Sequence, residues 1–286
     1  APSLAGNTLP APLVVRATSE IEQTSGKPMR YTRYRDALAH VRKPCAFIDL
    51  DALDRNVERV LSYARGMPVR LGSKSIRCVH VMRELLERHE TFSGVLCYTA
   101  EEAVWLASQG FDDLVVAYPT WNAEHILAVA RAIKQGAQIT LMADSVAHLE
   151  RYANLARQED VSLPVCLDLD MGTRHVGMHF GALRTTVRTT THVLELCAQI
   201  AASPYLSLDG LMGYEGQIAG TADAMPGEVV MNTIKRWLKA RSAPQVVARR
   251  AKLVEAVRAA TRTSVSAKPC ANSIFPSTRS VEPLLE

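Results

Sequence analysis

The chain has 286 residues, of which 48% are hydrophobic and 22% charged, with a formal net charge of +4. That length suits one large domain or two small ones, and the apolar share excludes wholesale disorder. No run of about 18 apolar residues occurs, which excludes a transmembrane helix, and Ala1 to Val15 lack the basic start and long apolar stretch of a secretory signal.

Residues 1 to 40 read as a loosely ordered extension, rich in Pro, Ser, Thr and Gly, with a short helix over Tyr31 to His40. From residue 41 to 262 the pattern is regular. Cys45 to Asp49 reads as a short strand, and Asp51 opens a helix with Leu53, Val57, Val60 and Leu61 on one face. Strands follow at Pro68–Leu71, Gly94–Tyr98, Asp113–Tyr118, Gln138–Ala143, Leu163–Leu169 and Leu206–Met212. Helices separate them at His80–His89, Ala100–Gln109, Ala123–Lys134, Ser145–Arg157 and Thr190–Ala202. Val230 to Thr261 reads as a long helix with a break near Pro244. Residues 263 to 286 form an atypical tail.

Strands that are apolar throughout and alternate with helices specify a parallel sheet covered on its faces. An open doubly wound sheet and an eight-stranded barrel both satisfy that pattern. No GxGxxG turn follows the first strand, so the barrel is preferred, with about six of its strands present.

In a parallel barrel the chemistry collects at the carboxyl ends of the strands. The residues there are Lys74, Tyr98 with Thr99, Tyr118, Asp144, Asp170 with Arg174, and Tyr214. Lys74 reads either as a nucleophilic amine in the barrel mouth or as a loop lysine in water. Asp168 and Asp170, two apart on one strand, read either as an acid/base or metal pair or as structural partners of Arg174. His175 and His179 lie outside any HExxH and read as loop histidines rather than zinc ligands. Tyr214, set among glycines, is placed to meet a flat ligand.

Two further features bear on partners and compartment. Lys235 to Arg262 holds nine basic residues against one acid, Glu255. With Trp237 the one aromatic among these charges, this reads as a solvated helix face rather than a nucleic-acid site. The six cysteines form no CxxC pair, and Cys97 and Cys166 sit in apolar strands, as reduced thiols of a cytoplasmic protein do.

Five segments together resemble the fold-type III pyridoxal-phosphate enzymes, the group of the alanine racemase N-terminal barrel, D-threonine aldolase and D-serine dehydratase. They are Ala46-Phe-Ile-Asp-Leu-Asp-Ala52, Val69-Arg-Leu-Gly-Ser-Lys-Ser-Ile-Arg-Cys78, Gly110-Phe-Asp-Asp-Leu-Val-Val-Ala-Tyr-Pro119, Leu167-Asp-Leu-Asp170 with Arg174-His-Val-Gly177, and Gly213-Tyr-Glu-Gly-Gln-Ile-Ala-Gly220. The likeness is strongest to the bacterial amino acid deaminase/aldolase group. It implies an α/β barrel of the alanine racemase N-terminal type and pyridoxal 5'-phosphate as cofactor. It implies Lys74 as the residue that bonds the cofactor as a Schiff base, Arg174 at the cofactor's phenolic oxygen or the substrate carboxylate, and Tyr214 near the pyridine nitrogen. The implied activity is that of a lyase cleaving a bond at the α-carbon of a D-amino acid. A non-catalytic cofactor carrier and a racemase are the alternatives. The family's C-terminal β-domain, with its metal ligands and dimer contacts, has no counterpart in this sequence, and Thr263 to Glu286 contains no glycine for a phosphate turn. The expected partners are therefore a small amino acid and, by the family's habit, a second copy as a homodimer, with no metal, nucleic acid or membrane.

Overall fold

In the computed structural model, which describes residues 27–175 and 177–263, the elements fall into two units, residues 1–66 and 67–286. The first holds α1 (Lys27–Ala37) and α2 (Leu50–Ala64). Asp49 caps α2 by accepting from the Ala52 N–H at 2.9 Å, and Tyr34 donates to its other oxygen. The Tyr34 bond above all holds the Asp49 carboxyl below its ordinary range, against the opposing effect of burial. The strand expected over Cys45 to Asp49 does not form. A strand exists only with a ladder partner; this stretch has none among the described residues, and Phe47 and Ile48 remain exposed.

The second unit runs β1 (Val69–Gly72), α3 (Ser73–Ile76), α4 (Val79–Arg88), β2 (Phe92–Cys97), α5 (Ala100–Ser108), β3 (Leu114–Val116), α6 (Ala123–Lys134), β4 (Ile139–Ala143), α7 (Val146–Glu159) and β5 (Leu163–Leu169). A hairpin of β6 (Thr173–His175) and β7 (Met178–Phe180) follows, then α8 (Thr190–Ala201), β8 (Leu206–Gly213), α9 (Gly216–Ala219) and α10 (Val229–Thr263). Strands β1, β2, β3, β4, β5 and β8 form one parallel sheet in that order. A doubly wound sheet reverses its strand order at a switch point. This order never reverses, so right-handed crossovers carry the connecting helices α4 to α8 to one face and leave the other as the inner face of a barrel-like curl.

Alternate strand residues share a face. Val95, Cys97, Leu114, Val116, Ile139, Leu141, Val165 and Leu167 point outward and are almost wholly buried under the helices. The helices meet them with narrow apolar stripes, such as Ile126, Val129 and Ala130 on α6. Tyr152 of α7 is fully buried, and its hydroxyl donates to the Met142 carbonyl at 2.8 Å while accepting from the Thr120 N–H. Burial pushes that phenol up to about 12.

The inner face is layered. Toward the amino ends, Thr140 donates to Asp209 at 2.8 Å and Arg70 pairs with Asp113 at 2.9 Å. A Cβ on Gly94, whose φ is +67°, would collide with both members of that ion pair, which fixes glycine there. Next comes an apolar layer of Val115, Met142 and Cys166, flanked by Leu96 and Met212. It separates the lower polar pairs from the carboxyl-end mouth.

Helix α10 runs unbroken through Pro244, contrary to the expected break. An interior proline costs about 3 kcal/mol. The buried Ser242, Val246, Leu253 and Val257 on either side offset it. Nor is the basic run a solvated face throughout. Lys235 pairs with Glu228, Lys239 with Asp223 and Arg250 with Glu215, while Arg249 donates to the Asp170 and Gly172 carbonyls. Much of its charge is engaged within the chain. The tail from residue 264 onward, with Cys270, lies outside the described residues.

Candidate functional site at the carboxyl ends of the strands

Lys74 lies in α3, the single turn that continues β1, and its side chain is exposed. Its Nζ sits 4.9 Å from the centroid of the Tyr98 ring, with the Arg77 guanidinium 5.8 Å from the same ring. The turn is held from beneath by one carboxylate. Glu102 Oε2 accepts from Ser73 Oγ at 2.6 Å and from the Tyr98 N–H at 2.6 Å, tying the ends of β1 and β2 to the first turn of α5. The turn that carries the lysine is therefore tied to its neighbours, while its Nζ makes no hydrogen bond or ion pair with a described residue.

From Tyr98 a line of rings and one guanidinium crosses the mouth. The Tyr98 and Tyr118 rings meet edge to face at 5.7 Å. Arg184 Cζ lies 4.6 Å from the Tyr118 centroid and 5.2 Å from that of Tyr214. Lys74 and Tyr214, at opposite edges of the sheet, are thus joined through three intervening side chains. Arg184 is the member that sequence reasoning missed. It lies in the loop between β7 and α8, where no periodicity marks it.

The two aspartates do not pair with Arg174. Asp168 accepts from Arg184 Nε at 3.1 Å and lies 3.0 Å from Nη2 in an ion pair, while Nη2 donates to the Ala117 carbonyl at 2.6 Å and Asp170 takes Arg188 at 2.6 Å. Both carboxylates are buried, so each needs a cation within reach, and Arg184 and Arg188, one helical turn apart in number, reach them from the same loop. Asp168 Oδ1 remains buried without a hydrogen-bond partner among the described residues. Burial, only partly opposed by Arg184, pushes the Asp168 carboxyl up to about 6. Asp144, at the end of β4, holds His148 Nδ1 at 2.8 Å. No group of three or more His, Cys, Asp or Glu among the described residues is arranged to hold a metal.

Arg174 stands on β6, opposite His179 on β7, with an exposed side chain. It makes no hydrogen bond or ion pair with a described residue, and nothing joins it to Lys74 or Tyr214. The hairpin beneath it is firmly tied. Thr173, His175 and Ser242 form a buried triangle with sides of 2.8, 2.9 and 3.0 Å, and Arg249 takes the two main-chain carbonyls that lead into β6. His175 is thus a core histidine, and His179 Nε2 is buried without a hydrogen-bond partner among the described residues.

Beside Tyr214 lies a shallow cavity of about 420 Å³, floored by Gly181, Gly216 and Gly220 and edged by Gln217 and Thr221. Gly216 carries no side chain because a Cβ there would come within 2.6 Å of the Tyr214 ring. Gln217 donates to the Met171 carbonyl at 2.7 Å, while its Oε1 is buried and unpaired at the cavity. Cys97 and Cys166 are fully buried and take no part in the mouth; burial pushes both thiols up, Cys97 to about 12. No described helix is long and apolar enough to cross a membrane.

Comparison with known proteins bears on this site. Residues 48–263 match the alanine racemase N-terminal domain. The 3-hydroxy-D-aspartate aldolase of Paracoccus denitrificans is 30% identical over 183 residues, which is 63% of this chain and 45% of that protein. The D-threo-3-hydroxyaspartate dehydratase of Delftia sp. HT23 is 28% identical over 147 residues, 50% of this chain and 38% of that protein. Among solved structures, the D-threonine aldolase of Filomicrobium marinum superposes with a TM-score of 0.58 at 19% identity, covering 74% of this chain and 52% of that one. The chain thus spans about half the length of the relatives it matches.

Proposed function

The chain belongs to the alanine racemase N-terminal domain family, and on that premise we propose that it is the cofactor-holding barrel of a pyridoxal-phosphate lyase acting on a 3-hydroxylated D-amino acid. The observation that carries this reading is the mounting of Lys74, whose free amine stands at the carboxyl end of β1 at the head of a line of rings that crosses the mouth to Tyr214.

The donor set suits the cofactor. An accessible amine is what an aldehyde requires. Flat aromatic surfaces suit a pyridine ring. The glycine-floored cavity beside Tyr214, with an unpaired buried Gln217 oxygen at its edge, is room for a group that is not protein. Lys74 would anchor the cofactor, Tyr214 would stand at the edge of its ring, and Arg174, free on its hairpin, is the cation available to an oxygen anion there. When bound, pyridoxal phosphate withdraws electrons from the α-carbon of an attached amino acid.

The chain's own residues supply the rest. Glu102 fixes the turn that carries Lys74. The apolar layer of Val115, Met142 and Cys166 closes the barrel beneath the site and keeps water from entering that way. Asp168, with its raised carboxyl and one unpaired oxygen, can hold a proton near neutral pH at the floor of the mouth. The relatives' names divide between aldol cleavage and dehydration, so the test is a product assay on D-threonine and on 3-hydroxy-D-aspartate. Glycine with an aldehyde marks cleavage; a 2-oxo acid with ammonia marks dehydration. The expected result is one of these pairs, lost in Lys74→Ala. Turnover that survives Lys74→Ala would overturn the assignment.

A further inference from the structure

Among the described residues that line the cavity beside Tyr214 there is no acid, lysine or arginine. Its polar atoms come from two elements. Gln217 of α9 is 2% exposed, and its Nε2 donates to the Met171 carbonyl. That bond fixes the amide, because a carbonyl can only accept. The atom left over is Oε1, an acceptor, buried with no hydrogen-bond partner among the described residues. It lies 3.2 Å from the place a Cβ on Gly181 would take, so glycine keeps the space over it open. His179 of β7 brings a second such atom, Nε2. That nitrogen donates in one tautomer and accepts in the other. Glycine again makes the approach possible, since a Cβ on Gly172 would come within 2.3 Å of the His179 ring. A buried polar atom without a partner is unfavourable, and two at one cavity point to a guest that satisfies them.

We propose that this cavity is a second binding site, for an uncharged planar ligand that carries a donor and an acceptor side by side, as a primary carboxamide does. The ligand N–H meets Gln217 Oε1, which can only accept. The ligand carbonyl meets His179 Nε2 in its N–H tautomer. Charge decides against the alternatives. A carboxylate or phosphate brings no donor for Gln217 and finds no cation in the lining, so the cofactor's phosphate does not belong here. An ammonium group finds no carboxylate to balance it. The volume of about 420 Å³ is that of a small-molecule site. The glycine floor and the rings of Phe180 and Tyr214 suit a flat group. The inference goes beyond the lyase reading and does not depend on it.

The test is a titration of the full chain, followed by amide NMR, with four probes that share one ring: benzamide, benzyl alcohol, benzoate and benzylamine. Benzamide is expected to bind most tightly, with shifts at Gly181, Gly216 and Gly220. Benzoate and benzylamine are expected to bind more weakly by about tenfold, and benzyl alcohol by about threefold. A charged probe or the alcohol binding as tightly as benzamide, no binding by any probe, or shifts centred elsewhere would overturn the proposal. Gln217→Leu and His179→Phe, each checked for folding by circular dichroism, are expected to weaken benzamide by about fivefold or more while leaving benzylamine unchanged. Unchanged benzamide binding in a folded Gln217→Leu contradicts the assignment. If neither variant folds, the order of the four probes on the wild-type chain decides. The titration is repeated on chain treated with pyridoxal phosphate and borohydride. Benzamide is expected to bind the treated and untreated chain alike. Its loss on chain labelled at Lys74 would show that the cofactor fills the cavity, and would overturn the proposal while leaving the lyase reading in place. Absence of label at Lys74, with benzamide still bound, would do the reverse.

Discussion

The mouth of the sheet has two halves that are held in different ways. On one side Lys74, Tyr98 and Tyr118 ride on β1, β2 and β3, and their positions follow from the strand ladder and from one carboxylate, Glu102, four residues from Tyr98. On the other side Arg174 and the approach to β6 ride on a hairpin that is not part of the main sheet. That hairpin is held by α10, through Ser242 and Arg249, from 67 to 79 residues away in the chain. The first half is rigid because its neighbours in sequence are its neighbours in space. The second is rigid only if a distant helix docks. The ordinary place for moving parts in an active site is the half with fewer local constraints.

The contrast breaks most visibly at Arg249. It donates to two carbonyls in a partly desolvated setting, and charge-assisted bonds of that kind are worth about 1.5–3 kcal/mol each. Arg249→Met is expected to destabilise the hairpin by about 4 kcal/mol. Amide exchange should quicken over residues 172–181 while β1 to β4 keep their protection. Uniform loss of protection across the sheet would show that the halves are not separable.

Asp168 lies where the halves meet, and pH sharpens the comparison there. Its carboxyl is raised from 3.8 to about 6 in the folded chain. Between those values the folded state binds more protons than the unfolded one, so stability from this residue is complete at low pH and falls as pH rises toward about 6. The difference in unfolding free energy between wild type and Asp168→Asn is expected to drop by about 3 kcal/mol across that window. A flat difference would mean that Arg184 fully compensates the buried charge.

The smallest effect belongs to the rigid half. Glu102→Ala removes the acceptor for Ser73 and for the Tyr98 N–H, at a cost of about 2 kcal/mol. Thermal unfolding should register that loss, and attachment of the cofactor at Lys74 should slow without disappearing. Unaltered stability would mean that the β1–α3 turn is held by other contacts.

The same contrast explains what the sequence disclosed. The parallel order, and each of the six sheet strands, follows from apolar runs and the helices between them, because those signals are local. Lys74, Tyr98, Tyr118, Asp144, Asp170 and Tyr214 could be named as strand-end residues for the same reason. The pairings could not. Arg184 and Arg188 reach Asp168 and Asp170 across a loop without period, so Arg174, nearer in number, looked the better partner. Cys45 to Asp49 has strand composition but no partner to pair with. Pro244 signals a break by its own chemistry, yet buried contacts on both sides carry the helix through it.

The central claim is that Lys74 is a mounted nucleophile and not a surface lysine. Its direct test is to incubate the full chain with pyridoxal phosphate, reduce with borohydride and map the labelled peptide. The account predicts one dominant label on Lys74 at stoichiometric cofactor, with an absorbance band that borohydride abolishes and that Lys74→Arg never acquires. Label spread across other lysines such as Lys134 and Lys252, in proportion to their exposure, would contradict it.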